Sequence, residues 1–169
     1  MVNSSRRYIY LVVVLLFFGI GSFAQNYTRD AGLRVGEGVF FTYRQFFDED
    51  QAVQATAGFV NRGFRIGGMM EYFKPLAPQK TGNLKLMYGY GIHAGVTYTN
   101  RFRVLHRVYY HDWKWSPQFG IDGLIGFEYR MDDLPFLIDV AAQPYFEYSL
   151  NRYFQLKVFN FMVSFKYRF

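Results

Sequence analysis

Along most of this chain hydrophobic and polar side chains alternate one for one, which is the period of a β-strand. The final segment is clearest: Phe159, Phe161, Val163, Phe165, Tyr167 and Phe169 share one face, and Asn160, Met162, Ser164, Lys166 and Arg168 the other. Between 136 and 148, an apolar face running from Phe136 through Val140 to Tyr148 opposes Leu137, Asp139, Ala141, Gln143, Tyr145 and Glu147. Upstream, Phe119, Ile121, Ile125, Phe127 and Tyr129 oppose Gly120, Asp122, Leu124, Gly126, Glu128 and Arg130. Leu84, Leu86, Tyr88, Tyr90, Ile92, Ala94, Val96 and Tyr98 oppose Lys85, Met87, Gly89, Gly91, His93, Gly95 and Thr97. A weaker stretch sets Phe64, Ile66, Met70 and Tyr72 against Arg65, Gly67, Met69 and Glu71.

With turn residues as punctuation, the pattern predicts eight strands near 30–36, 39–47, 52–61, 63–74, 84–98, 118–130, 135–149 and 156–169. Short turns at 48–51, 76–83 (with Pro78 and Gly82) and 131–134 fall at one end, together with both mature termini. The other end has a tight Glu37-Gly38 turn and one long loop, Thr99 to Pro117.

Alternation alone also fits a soluble sandwich whose apolar face packs a core. Two features favour a membrane barrel. The apolar faces are long and carry aromatics at strand ends, as interfacial girdles do. The opposite faces combine glycines with paired charges, a mixture suited to a narrow lumen. Closure also satisfies every backbone donor in lipid, which an open sheet cannot do. The expected fold is all-β: a transmembrane, antiparallel, up-and-down β-barrel of eight strands.

One segment does not alternate. Arg6 and Arg7 precede an apolar run from Tyr8 to Ile20, then small Ser22 and Ala24 and the polar Gln25. This is the layout of an export signal cleaved after Ala24, and the run is shorter than the ~20 residues that span a bilayer. Residues 1–24 are therefore expected to be a signal peptide and 25–169 the outer-membrane barrel domain. The absence of cysteine excludes a disulfide framework, a thiolate metal site and a catalytic cysteine. A load of 20 Phe, 15 Tyr and 2 Trp in 169 residues is heavy for a soluble domain, and aromatic girdles account for it. The net charge of +6 falls by two once Arg6 and Arg7 are removed.

A series of short Gly and aromatic patterns runs through the chain in order. It comprises Gly32-Leu33-Arg34 with Gly36, Thr42-Tyr43-Arg44, Gly58-Phe59, Glu71-Tyr72 with Lys74-Pro75, and Tyr88-Gly89 with Gly91, His93 and Gly95. Gly120, Asp122-Gly123, Gly126, Glu128-Tyr129, Pro144 and the terminal Phe169 complete it. In this order they resemble the small OmpA/OmpX-like outer-membrane barrels of the Bacteroidota type, over nearly all of the mature chain. One departure is that Ala141 and Ala142 stand where such proteins often carry a carboxylate before the proline of the seventh strand. Asp139, on the lumen face with Ala141 and one step away along the strand, is a candidate replacement. The resemblance implies insertion by the outer-membrane assembly machinery, which reads the last aromatic strand, here Phe165, Tyr167 and Phe169. It implies no agreed activity, because the fold hosts adhesins, plugs, enzymes and accessory subunits.

The inward charges are the first candidate site: Arg34, Arg44, Arg65, Lys85, Arg130, Lys166 and Arg168 with Glu71, Asp122, Glu128, Asp139 and Glu147. Side chains fill a barrel of this size, so an ion-pair network satisfying a polar interior is expected. A gated path for protons or small ions is the sharper alternative. His93 is either a pH switch among these charges or another hydrogen-bonding filler.

The long loop carries Arg101, Arg103, Arg107, Tyr109, Tyr110, Trp113, Lys114 and Trp115, the arginine and aromatic composition of binding hot spots. Its basic groups suit phosphates of a surface glycolipid. Its alternation from Arg101 to Tyr109 favours instead an extension of strands five and six beyond the membrane, a hairpin whose edge offers a partner-docking surface. His106, His111 and Asp112 match no tight metal-ligand spacing. Ser116 with His111 and Asp112 is the one serine–histidine pairing worth weighing, and no nucleophile elbow surrounds it. Gly36-Glu37-Gly38 precedes a strand rather than a helix and fails the context for nucleotide binding.

The expectation is a non-enzymatic structural or interaction protein (an accessory subunit) of the cell outer membrane, without cofactor or metal. Its expected partners are outer-membrane lipid and lipopolysaccharide, the assembly machinery during insertion and a larger outer-membrane complex, but not nucleic acid. A narrow channel for ions or small solutes is the alternative, followed by a lipid acyl hydrolase or transferase.

Overall fold

The computed structural model describes residues 28–76, 83–104, 107–132, 134–150 and 153–169, with side chains throughout except at 101–104, 107, 108, 110 and 111. The expected signal peptide, Pro78 and Gly82 of one turn, and His106 lie outside the described residues. The strands are β1 (Arg29–Val35), β2 (Gly38–Asp48), β3 (Gln51–Val60), β4 (Gly63–Pro75) and β5 (Leu84–Val104). They continue with β6 (Arg107–Arg130), β7 (Phe136–Ala142), β8 (Tyr145–Ser149), β9 (Tyr153–Lys157) and β10 (Phe161–Arg168).

Each of β1 to β5 pairs antiparallel with its successor, while β7 and β8 both pair with β6. β8 pairs with β9, and β7 with β10. β10 returns to β1, with Leu33 opposite Phe165 on one side and Phe41 on the other. β7–β8 and β9–β10 are therefore two interrupted staves, and the whole is a closed eight-stranded antiparallel barrel.

The interruptions correct the expectation of continuous strands over 135–149 and 156–169. Pro144 has no N–H to give to a ladder, and the neighbouring stave breaks at the same level. The gap is stitched by Gly123 N–H donating to Pro144 O at 2.8 Å and Gln143 N–H to Asn160 O at 2.8 Å. The first turn also moves by one residue, to Gly36-Glu37, since β2 begins at Gly38.

Thr99–Pro117 is the hairpin that its alternation favours, and what is corrected is the bounds expected for strands five and six, 84–98 and 118–130. Its residues continue β5 and β6 as a hairpin, pairing Tyr98 with Trp115 and Thr99 with Lys114, with a register shift before Arg101. The β4 ladder stops where Gly63 meets Thr97. Residues 98–104 thus reach about 23 Å past it at ~3.3 Å per residue. The alternation noted there was the ladder continuing.

The two faces invert the usual soluble arrangement. Outward, Ile92 is 67% and Phe161 66% exposed, while inward Arg44 and Lys166 are 0%. Inward glycines make room for long neighbours. Gly91 lies opposite Met69 and Gly120 opposite His93, and a Cβ on Gly120 would strike the His93 ring.

Candidate functional site

Pleat and register together place the inward charges. Arg44 on β2 faces Asp30 across the β1 ladder, and its Nε donates to Asp30 Oδ2 at 2.8 Å. From across the lumen come Glu71 on β4, accepting from Arg44 Nη1 at 3.0 Å, and Glu128 on β6, accepting from Nη2. Arg130 Nε donates to the other Glu128 oxygen at 2.7 Å. The Arg44 guanidinium also lies 4.9 Å from the ring centroids of both Phe46 and Phe73.

An adjoining cluster is equally buried. Lys166 Nζ donates to Gln54 Oε1 at 2.6 Å and sits 3.0 Å from Asp139 Oδ2. Arg34 Nε donates to Ser164 Oγ at 2.9 Å, and that hydroxyl donates to Asp139 Oδ1 at 2.7 Å. Asp139 is therefore a member of the network, beside buried Ala141. A charge removed from water is costly unless paired, and these are paired from several staves at once. Phe73, Met87, Met69 and Leu124 pack beside them, so side chains occupy the lumen at this level.

Toward the hairpin end, His93 Nδ1 lies 2.8 Å from Asp122 Oδ2 and Nε2 lies 3.1 Å from Glu147 Oε2. Arg65 Nη2 donates to the same Glu147 oxygen at 2.9 Å. A cavity of about 20 Å³, lined by Arg34, Arg65, His93, Asp122 and Gln143 among others, separates this group from the deeper cluster. It is the size of one water. Lys85 and Arg168 lie at the opposite rim, where they donate to the carbonyls of Glu49 and Met131.

Above His93 the barrel opens into a cavity of about 500 Å³. Glu37, on the first turn, lines it. It accepts from Tyr145 OH at 3.1 Å, pairs with Lys157 Nζ at 2.9 Å and lies 3.5 Å from Arg65 Nη1. Burial alone would raise the Glu37 carboxyl, but the Lys157 hydrogen bond, the Arg65 and Lys157 charges and the Tyr145 hydroxyl outweigh it. They hold the group below its ordinary value.

The hairpin is braced against the neighbouring turn. Tyr98 stacks on Trp113 at 5.2 Å and contacts Trp115 at 5.0 Å. Tyr98 N–H donates to Arg62 O at 3.0 Å, and the Arg62 guanidinium lies 4.9 Å over Trp113. Arg62 holds φ 65° in the two-residue turn between β3 and β4, a conformation that hairpin turns of this length require. Tyr109 and Lys114 are exposed, whereas Arg101, Arg103, Arg107 and Tyr110 fall outside the described side chains. In the last strand Phe165 stacks on Phe136 at 5.2 Å and Tyr167 on Phe169 at 6.2 Å, on the outer face.

His111 and Ser116 sit five residues apart on one extended strand, about 17 Å at ~3.4 Å per residue. Ser116 is buried while Asp112 is exposed. Among the described residues no cluster of metal-ligating side chains forms.

Sequence reasoning missed Asp30, Glu37, Gln54, Tyr145 and Lys157 as site residues. Asp30 shares the parity of Arg34, so the strand period was signal enough for it. Glu37 lies in a turn, and nothing local tells that its side chain points in to meet Tyr145 and Lys157. Compared with protein-family models, curated proteins and solved structures, the chain matches none.

Proposed function

We propose that this chain is an integral outer-membrane β-barrel of the OmpA/OmpX-like kind, with a filled polar lumen, acting as a structural or interaction protein at the cell surface. One observation carries the reading: the apolar face points outward around the barrel while fully buried charges point inward. Water penalises such an outer surface, whereas lipid tails cover it. The aromatic groove of Phe59, Phe64 and Trp115 beside the β3–β4 turn suits one interfacial girdle, and Phe165, Tyr167 and Phe169 the other. The short turns and both chain ends then face the periplasm, and the braced hairpin with Trp113, Lys114 and Trp115 is the partner- or glycolipid-facing element.

The buried Arg44 and Lys166 clusters argue for a plug rather than a narrow channel, and the spacing of His111 and Ser116 argues against a hydrolytic triad. Membrane fractionation with gel mobility before and after heating tests the proposal. The expected result is recovery in the outer-membrane fraction as a heat-modifiable band. Folded protein in the soluble periplasmic fraction without amphiphile would overturn it.

A further inference from the structure

The turn between β3 and β4 sets a cation beside an apolar groove on the outer wall. Register aligns Phe59, Phe64 and Val96 across β3, β4 and β5, and Trp115 on β6 closes the row. Phe59 is 73% and Trp115 65% exposed, and the four line a groove of about 390 Å³. Phe59 and Phe64 meet edge to face at 5.7 Å, so part of the wall is already packed.

Arg62 borders the same groove from the turn. It stands two residues beyond Phe64, about 7 Å along the strand direction. Tyr98 N–H holds its carbonyl at 3.0 Å, and its guanidinium lies 4.9 Å over the Trp113 ring. One aromatic ring cannot occupy all five donors of a guanidinium. Arg62 is exposed and makes no ion pair among the described residues. The side chains outside the description at this end, 101–108, 110, 111, 151 and 152, include four arginines and no acid, so they add only positive charge. Of the described acids here, Glu37 and Glu147 are engaged by Arg65 and Lys157, which leaves Asp112 against these cations.

An apolar wall with a cation at its rim complements a molecule with an apolar chain and an anionic head. Barrel aromatics mark the boundary between lipid tails and headgroups. Arg62, one step outward from that boundary, stands at the depth of headgroup phosphates, which a guanidinium can hold through two parallel hydrogen bonds.

We infer that the outer wall beside the β3–β4 turn binds a phosphate-bearing lipid of the surrounding leaflet, its chain along Phe59, Phe64 and Trp115 and its phosphate on Arg62. The inference rests on the membrane reading and deepens it by assigning a site and a ligand class.

The test is titration of the full mature chain, refolded in dodecyl maltoside micelles, with monododecyl phosphate. Inorganic phosphate supplies the head without the chain, and dodecyltrimethylammonium the chain with the opposite charge. The Arg62 Nε–H and Trp115 indole NMR signals report binding. Monododecyl phosphate should shift both signals saturably, and neither comparison should do so at matched concentration. Arg62→Gln and Trp115→Ala, each checked for heat-modifiable folding, should each weaken binding by about tenfold or more, the scale of a lost charge-assisted contact. Lys74→Gln, which removes an exposed cation over Tyr88 at the opposite rim, should bind like wild type. A non-saturating response, an equal response to inorganic phosphate, an equal loss in Lys74→Gln, or wild-type binding by either folded variant would overturn the inference. The wild-type comparison of the two phosphates decides even if a variant fails to fold. A chain that folds without amphiphile fails the membrane reading and this inference with it; one that folds only in micelles and shows no saturable binding fails this inference alone.

Discussion

Arg44 and Glu128, 84 residues apart in the chain, meet inside the barrel with both side chains wholly buried. Asp30 and Glu71 complete a ring of carboxylates around the same guanidinium. Removing the cation leaves three buried acids facing one another. Arg44→Met should cost roughly 3–5 kcal/mol, the scale for breaking a buried ion pair. Urea refolding in detergent, read by tryptophan fluorescence and gel mobility, measures it. Adding Glu128→Leu should recover part of the loss, and a purely additive double variant would refute the coupling.

The outer face provides a substitution whose cost depends on the solvent. Ile125 lies near the middle of the barrel portion of β6 and is 56% exposed. In water, replacing such a residue is usually worth within ~0.5 kcal/mol. Facing lipid near the midplane, Ile125→Arg should cost about 2–4 kcal/mol. Folding into lipid vesicles with and without the substitution decides between them.

Gly120 sits opposite His93, and its missing side chain is the space the imidazole fills. Gly120→Ala should displace the ring from Asp122 and Glu147 and cost about 1–3 kcal/mol, as overpacking does. The combination with His93→Ala should be less damaging than the sum. An unshifted His93 ring resonance in the single variant would contradict the packing.

The side chains that occupy the lumen bear on conduction. Reconstituted in planar bilayers, the protein should show no steady open level. A stable conductance in the wild type would favour the narrow-channel reading over the plug.

Glu37 ties its turn to Lys157 and Tyr145. Its folded carboxyl lies below the ordinary glutamate value of 4.5, so proton binding favours the unfolded chain. The stabilisation is complete above that ordinary value and is lost as pH falls through the lower folded one. Stability of the wild type should drop across that acid window, and Glu37→Gln should flatten this part of the profile. An identical acid limb in both proteins would remove Glu37 as its source.

The two faces were readable from residue parity alone, and the strand count from parity punctuated by turn residues. Arg34, Arg65, His93, Asp122, Asp139 and Lys166 all point inward as their position in the alternation requires, because pleating is a property of a single strand. What parity cannot hold is partner choice. That Arg44 takes Glu128, that Lys166 takes Asp139, and that Glu37 meets Lys157 depend on the stagger of eight strands around a closed circuit. The hairpin reach of residues 98–104 and the paired breaks at Pro144 and Asn160 are likewise settled by neighbouring strands. Local chemistry determined which side chains enter the lumen; long-range register decided which of them touch, since it is the sum of every pairing around the barrel.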